Sequence, residues 1–166
     1  MIGNDVVDLV LARKESNWKR KGYLDKLFTA SEQDLIQNAT NQDEVVWLLW
    51  SIKESVYKAY QRIHYQQGFY PIKIAVLSLN LQDGKFRSVI ELFGNIFYGE
   101  SQIVDQIIFT IAVQNKGDLD KILYFDQLAY IKNENGLPIS ADYKKPISVS
   151  HHGRAKKIVG IKQNHF

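Results

Sequence analysis

Glu44-Val45-Val46-Trp47-Leu48-Leu49-Trp50-Ser51-Ile52-Lys53-Glu54-Ser55-Val56-Tyr57-Lys58-Ala59-Tyr60-Gln61-Arg62-Ile63-His64 runs without a glycine or a proline. At 3.6 residues per turn, Leu48, Leu49, Ile52, Val56, Ala59 and Ile63 fall within about 100° of arc, the width of a core-facing stripe. The spacing predicts a long helix, ended by Gly68 and Pro71. A second stripe, Trp47, Ser51, Glu54, Lys58 and Gln61, stands almost opposite. Glu54 and Lys58, at i and i+4, share one face. On most helices such a pair is a solvated surface feature worth about 0.3–0.5 kcal/mol. Trp47 on the same stripe argues for more, because a large aromatic needs cover. This face is expected to meet another surface or a ligand.

Upstream, Phe28-Thr29-Ala30-Ser31-Glu32 carries the S/T-x-x-E capping box, which predicts a helix from there to about Thr40. Asn41-Gln42-Asp43 is a turn and N-cap cluster. Val6-Val7-Asp8-Leu9-Val10-Leu11, near the start, is a short apolar run that suits a buried strand or the opening of a helix. Downstream the pattern changes. Ile72 to Leu81 and Phe86 to Phe93 are β-rich runs joined through Gln82-Asp83-Gly84-Lys85, where Asp-Gly signals a hairpin. Gly94-Asn95 and Gly99-Glu100 punctuate the approach to a further strand at Ile107 to Val113. Leu119 to Ile131 is ambiguous between helix and strand. Asn133-Glu134-Asn135-Gly136-Leu137-Pro138 is a loop, and Ile147 to Ser150 and Ile158 to Ile161 read as closing strands. Helices early and antiparallel strands late make the class α+β. No linker or repeat divides the chain, so one domain over residues 1–166 is expected.

With 166 residues, 45% apolar and 23% charged, the composition is that of a globular protein able to bury a core. No run approaches the ~18 apolar residues of a membrane span. Met1-Ile2-Gly3-Asn4-Asp5 lacks a basic segment leading into an apolar one, and cysteine is absent. A cytoplasmic protein away from membranes is expected. The net charge is only +3, but the basic residues cluster. Lys144, Lys145, Arg154, Lys156, Lys157 and Lys162 follow Tyr143 with no acidic residue among them. Arg13, Lys14, Lys19, Arg20 and Lys21 form a second group, relieved only by Glu15. A solvated surface accounts for such clusters; a polyanionic ligand or an acidic partner is the alternative. Nucleic acid is not expected, since no RNA-binding signature is present and the tail's aromatics do not interleave with its cations.

Two places near the ends could carry chemistry. Asp5, after Gly3-Asn4, suits a hard-cation ligand or a helix N-cap. Ser148-Val149-Ser150-His151-His152-Gly153 puts two adjacent imidazoles on an extended chain, where they point apart and make a poor pair for one metal. There is no nucleophile elbow, P-loop, HExxH helix or GxGxxG turn.

In combination these pieces resemble the 4′-phosphopantetheinyl transferases. The resemblance rests on Gly3-x-Asp5, Phe28-Thr29-x-x-Glu32, Trp50-x-x-Lys53-Glu54-x-x-x-Lys58, Gly136-Leu137-Pro138 and Ser148-Val149-Ser150-His151, in the order of the small holo-acyl-carrier-protein synthase class. The middle, Gly68 to Ile131, matches no motif. The resemblance implies a long helix packed on an antiparallel sheet. It also implies an enzyme that hands the phosphopantetheine arm of coenzyme A to a serine of an apo-acyl carrier protein, in fatty acid, polyketide or peptide synthesis. Asp5 and Glu54 would bind Mg²⁺, with Asp8 in reserve. Lys58 would reach the coenzyme A phosphates, Glu54 would take the serine proton, and Ser150 and His151 would line the nucleotide end. The basic N-terminal segment would face the acidic carrier.

The pattern departs from the family in three places: Val7 replaces a second acidic residue, Leu137 the lysine of G-K-P, and Leu11 an arginine. One copy of the motif set implies a homo-oligomer, with a trimer favoured, and Trp47, Trp50 and Tyr57 as interface material. The alternative is that Gly68 to Ile131 builds a second sheet completing a monomer. The competing function is a non-catalytic module of the same fold that binds coenzyme A or a carrier protein.

Overall fold

The apolar run at the start serves two elements, not one. In the computed structural model, which describes residues 1–65 and 68–162, strand β1 (Ile2–Asp8) passes directly into helix α1 (Leu9–Glu15). Asp8 makes the switch: its carboxylate accepts from Val10 N at 3.1 Å and caps the helix. A short helix α2 (Tyr23–Leu27), for which the sequence holds no periodic signal, follows. Helix α3 (Ala30–Gln37) opens on the expected capping box and stops at Asn38. The long helix α4 (Gln42–Gln61) is capped by the Asn41 side chain and ends at Arg62, well before Gly68.

Four strands then form a meander: β2 (Ile74–Gln82), β3 (Lys85–Leu92), β4 (Asn95–Val104) and β5 (Ile107–Val113). They are joined by two-residue turns at Asp83-Gly84, Phe93-Gly94 and Asp105-Gln106, all with positive φ at both positions. That geometry is the I′ turn, whose twist matches the strands. Gly94-Asn95 does turn the chain, but Gly99-Glu100 lies inside β4. A Cβ at Gly99 would stand 2.3 Å from Ser88 Oγ on β3, so glycine here serves close packing within a strand. Strand β1 completes an antiparallel sheet of order β1-β5-β4-β3-β2. The stretch without a motif therefore supplies four of the five strands of the sheet that contains β1, and one strand, at Ile122–Phe125, of a smaller second sheet.

After a 3-10 turn at Lys116–Lys121, the ambiguous stretch resolves into β6 (Ile122–Phe125) and the start of β7 (Tyr130–Lys132). The loop from Asn133 then leads into β8 (Pro138–Ser140), and β9 (Ile147–His152) and β10 (Ala155–Ile161) form the closing hairpin. These make a three-stranded sheet, β6-β10-β9, and a β7-β8 ribbon.

Helix α4 lies on the five-stranded sheet with Leu48, Leu49, Ile52, Val56 and Ala59 fully buried. The opposite stripe is covered too. Trp47 is only 6% exposed, Ser51 and Gln61 are buried, and Phe69 packs on Trp50 and Tyr57 with ring centroids 5.5 and 5.0 Å apart. Trp47 is thus covered by its own chain, whereas Trp50 and Tyr57 are half-buried. A second small core, Ile2, Ile111, Val113 and Val159, joins the first strand and β5 to β10.

Candidate functional site

Gly3 determines how closely strand and helix approach. A Cβ at this position would lie 2.0 Å from Ser55 O and 2.5 Å from Ala59 N, both on α4. Only glycine lets β1 lie this near the helix, and the contact brings Lys58 onto the strand. Its ammonium donates to Asn4 O at 2.9 Å and to Asp5 Oδ1 at 3.0 Å. Ser150 Oγ donates to the same Asp5 oxygen at 3.2 Å and accepts from Val6 N at 3.0 Å. Burial raises the Asp5 pKa, and the Lys58 cation works against that rise.

Glu54, one turn before Lys58, lines a cleft of about 510 Å³ together with Asp5, Trp47, Trp50, His151 and Arg20. Burial is the main cause that pushes its pKa up to about 7, and the Asp5 charge adds to it against the pull of Lys58. Lys58 opens on a second cavity of about 280 Å³, shared with Tyr57, Arg62, Leu137, Pro138 and Ser148. The Asp5–Lys58 ion pair joins the two cavities. Asp5, Glu54, Lys58, Ser150 and His151, singled out in the sequence, therefore converge where β1, α4 and β9 meet.

Reserve candidate Asp8 is otherwise engaged. It forms a bidentate pair with Arg154, Nε to Oδ2 at 2.8 Å and Nη2 to Oδ1 at 3.0 Å, which holds its carboxyl well below the usual range. Arg13, of the basic N-terminal segment, bonds Asp43 and Gln106 at 2.7 Å each.

Sequence reasoning missed how both edges of the five-stranded sheet are closed. On its free side β1 meets side chains instead of a strand. Asn4 N donates to Ser148 Oγ at 2.9 Å, Val6 N to Ser150 Oγ, and Asp8 N to His152 Nδ1 at 2.9 Å. The signal was the period-two Ser-x-Ser-x-His of β9, every second residue offering an acceptor to the same edge. At the other edge Glu32 Oε1 accepts from Val76 N at 2.9 Å, and Lys53 Nζ donates to Ile74 O at 2.5 Å. Lys53 and Glu32 are also paired with each other at 2.8 Å, both side chains 0% exposed. Lys53, a motif residue without a reading, and Glu32, read only as the capping-box acid, thus form one buried ion pair.

Among the described residues no group of three or more His, Asp or Glu side chains is arranged to hold a metal ion. The cleft offers instead two carboxylates, Asp5 and Glu54, close enough for the Asp5 charge to raise the Glu54 pKa. Two hard oxygen donors facing one cleft suit Mg²⁺, which takes few carboxylates and keeps its waters.

A family model described as the 4′-phosphopantetheinyl transferase superfamily matches residues 1–103, which include three of the motifs and end before Ser148. No curated protein matches the sequence. Solved structures do. An apo-ACPS structure from Chronobacterium ammoiniagenes is similar at 14% identity and a TM-score of 0.50, over 68% of this chain and 93% of that one. The Thermotoga maritima holo-[acyl-carrier-protein] synthase is 14% identical with a TM-score of 0.48, over 87% of this chain and 83% of that one. At 14% identity the likeness to the first of these is one of fold.

Proposed function

The chain belongs to the 4′-phosphopantetheinyl transferase superfamily, and from that premise we propose that residues 1–166 act as one domain moving phosphopantetheine from coenzyme A to a serine hydroxyl of an apo-carrier protein. The observation that carries this reading is the meeting of Asp5, Glu54 and Lys58 at the junction of two cavities.

In the reaction the serine oxygen forms a bond to the phosphorus next to the pantetheine arm. The bond from that phosphorus to the bridging oxygen breaks, and adenosine 3′,5′-bisphosphate leaves with the electron pair. Glu54 accepts the serine proton. Without metal, burial and the Asp5 charge push the Glu54 pKa up to about 7, which makes this carboxylate the candidate base of the cleft. Lys58 meets the phosphates from the second cavity as a point charge, with Arg62 beside it. His151 serves the nucleotide end from the first cleft, and Ser150 serves it by holding Asp5. Asp5 and Glu54 would hold Mg²⁺, which when bound supplies positive charge to the pyrophosphate.

We place this chemistry in the cytoplasm, in fatty acid, polyketide or peptide assembly, and in a homo-oligomer with three copies in a closed ring favoured. Among the described residues no helix is long and apolar enough to cross a membrane. Incubation with coenzyme A, Mg²⁺ and an apo-acyl carrier protein, read by intact mass, tests the proposal. The expected result is one phosphopantetheine per carrier. Tight coenzyme A binding without transfer would identify a binding module instead.

A further inference from the structure

We propose that the buried Lys53–Glu32 pair is a positioning device that fixes the rotation of α4, and so aims Glu54 into the cleft; this rests on the transferase reading. Successive residues of a helix are about 100° apart, so Glu54 lies on the arc between Lys53 and Lys58. Both lysines are bolted to backbone at opposite edges of the sheet. Lys53 Nζ donates to Pro71 O at 2.9 Å and to Ile74 O on β2, and pairs with Glu32 Oε2. Lys58 Nζ donates to Asn4 O on β1.

Between the two anchors, no hydrogen bond holds the Glu54 carboxylate among the described residues. Its place is set by the helix alone. Glu32 is held in turn by Thr29 N at 2.8 Å and Val76 N, so α3, α4 and β2 share one fixed point. A fully buried pair is a weak source of stability, since well-packed apolar residues often do as well. What an apolar pair lacks is a directional bond from helix to strand edge, and rotation is the property such a bond sets.

The test uses the full chain with Lys53→Met, Glu32→Gln and the milder Glu32→Asp, each assayed at a temperature where circular dichroism shows it folded. Turnover (kcat) should fall at least ~10-fold in the first two, and less in Glu32→Asp, which keeps the charge. KM for coenzyme A should stay within ~2-fold, because Lys58 keeps its own anchor. The Mg²⁺ midpoint, read from tryptophan fluorescence of the cleft, should rise in parallel. Ile90→Val, a core change elsewhere, should lower the melting temperature and leave kcat unchanged. A folded Lys53→Met or Glu32→Asp with wild-type kcat and Mg²⁺ midpoint overturns the proposal, as does an equal loss of kcat in Ile90→Val at a matched loss of stability. If Lys53→Met does not fold, Glu32→Asp decides. A wild-type chain without transferase activity sinks the transfer reading, and the Mg²⁺ midpoints then decide the positioning.

Discussion

Glu54 keeps its proton until about pH 7, because little water reaches it and Asp5 stands nearby. Unfolding releases it to ordinary behaviour near its usual value of 4.5. The folded state therefore binds more protons between those two pH values, and stability falls as pH rises. Metal-free protein should be most stable with respect to this group below about pH 4.5. It should lose up to about 3 kcal/mol through pH 7, each tenfold in proton affinity being about 1.4 kcal/mol and partial exposure reducing the total. Urea titrations in chelator at pH 5 and 8 check the sign, and added Mg²⁺ should flatten the slope. Glu54→Gln keeps the shape and removes the charge. Turnover should drop at least ~10²-fold, whereas the melting temperature at pH 8 should hold or rise. An active Glu54→Gln variant would reduce the carboxylate to a bystander.

The elements depend on single contacts of two kinds. Gly3→Ala would drive a methyl into Ser55 O, so β1 and α4 must part. Equilibrium unfolding should show a loss of more than about 3 kcal/mol together with loss of transfer. Ser148→Ala leaves Asn4 N without its acceptor and should cost about 1–3 kcal/mol, measured in the same way. Local patterns were the legible part of the sequence. The α4 stripe, the Thr29–Glu32 box and the Asp83-Gly84 turn are all written within a few neighbouring residues. The first strand was half legible, because one apolar run holds two elements and only the Asp8 cap separates them. Strand β4 was hidden by Gly99, whose reason for being glycine is Ser88 on the next strand. Asp5, Glu54 and Lys58 stood out by residue type and spacing, the family resemblance gave them, Ser150 and His151 their roles, and the structure supplies their company. The Ser148–Ser150–His152 alternation was visible but not the edge it serves, and the Lys53–Glu32 pair was illegible because it joins residues far apart in sequence, where periodicity carries no signal.

At the scale of the molecule, association is open to direct measurement. Light scattering at micromolar concentration should give a trimer, since a head-to-tail contact closes most simply as a ring. A fully active monomer would show that one chain completes its own site. Within the chain, the side-chain closure of β1 has a consequence in time. This strand pairs with Ile107–Val113 and takes its acceptors from Ser148, Ser150 and His152, all far from it in sequence. The β2–β5 meander needs only near neighbours and can zip through its hairpins early, whereas contacts of long sequence separation form slowly. Asp5 therefore reaches its native surroundings only when β9 docks on β1. In stopped-flow refolding, strand signal should rise before transferase activity, and activity should arrive in a single late step as β1 joins β5 and β9.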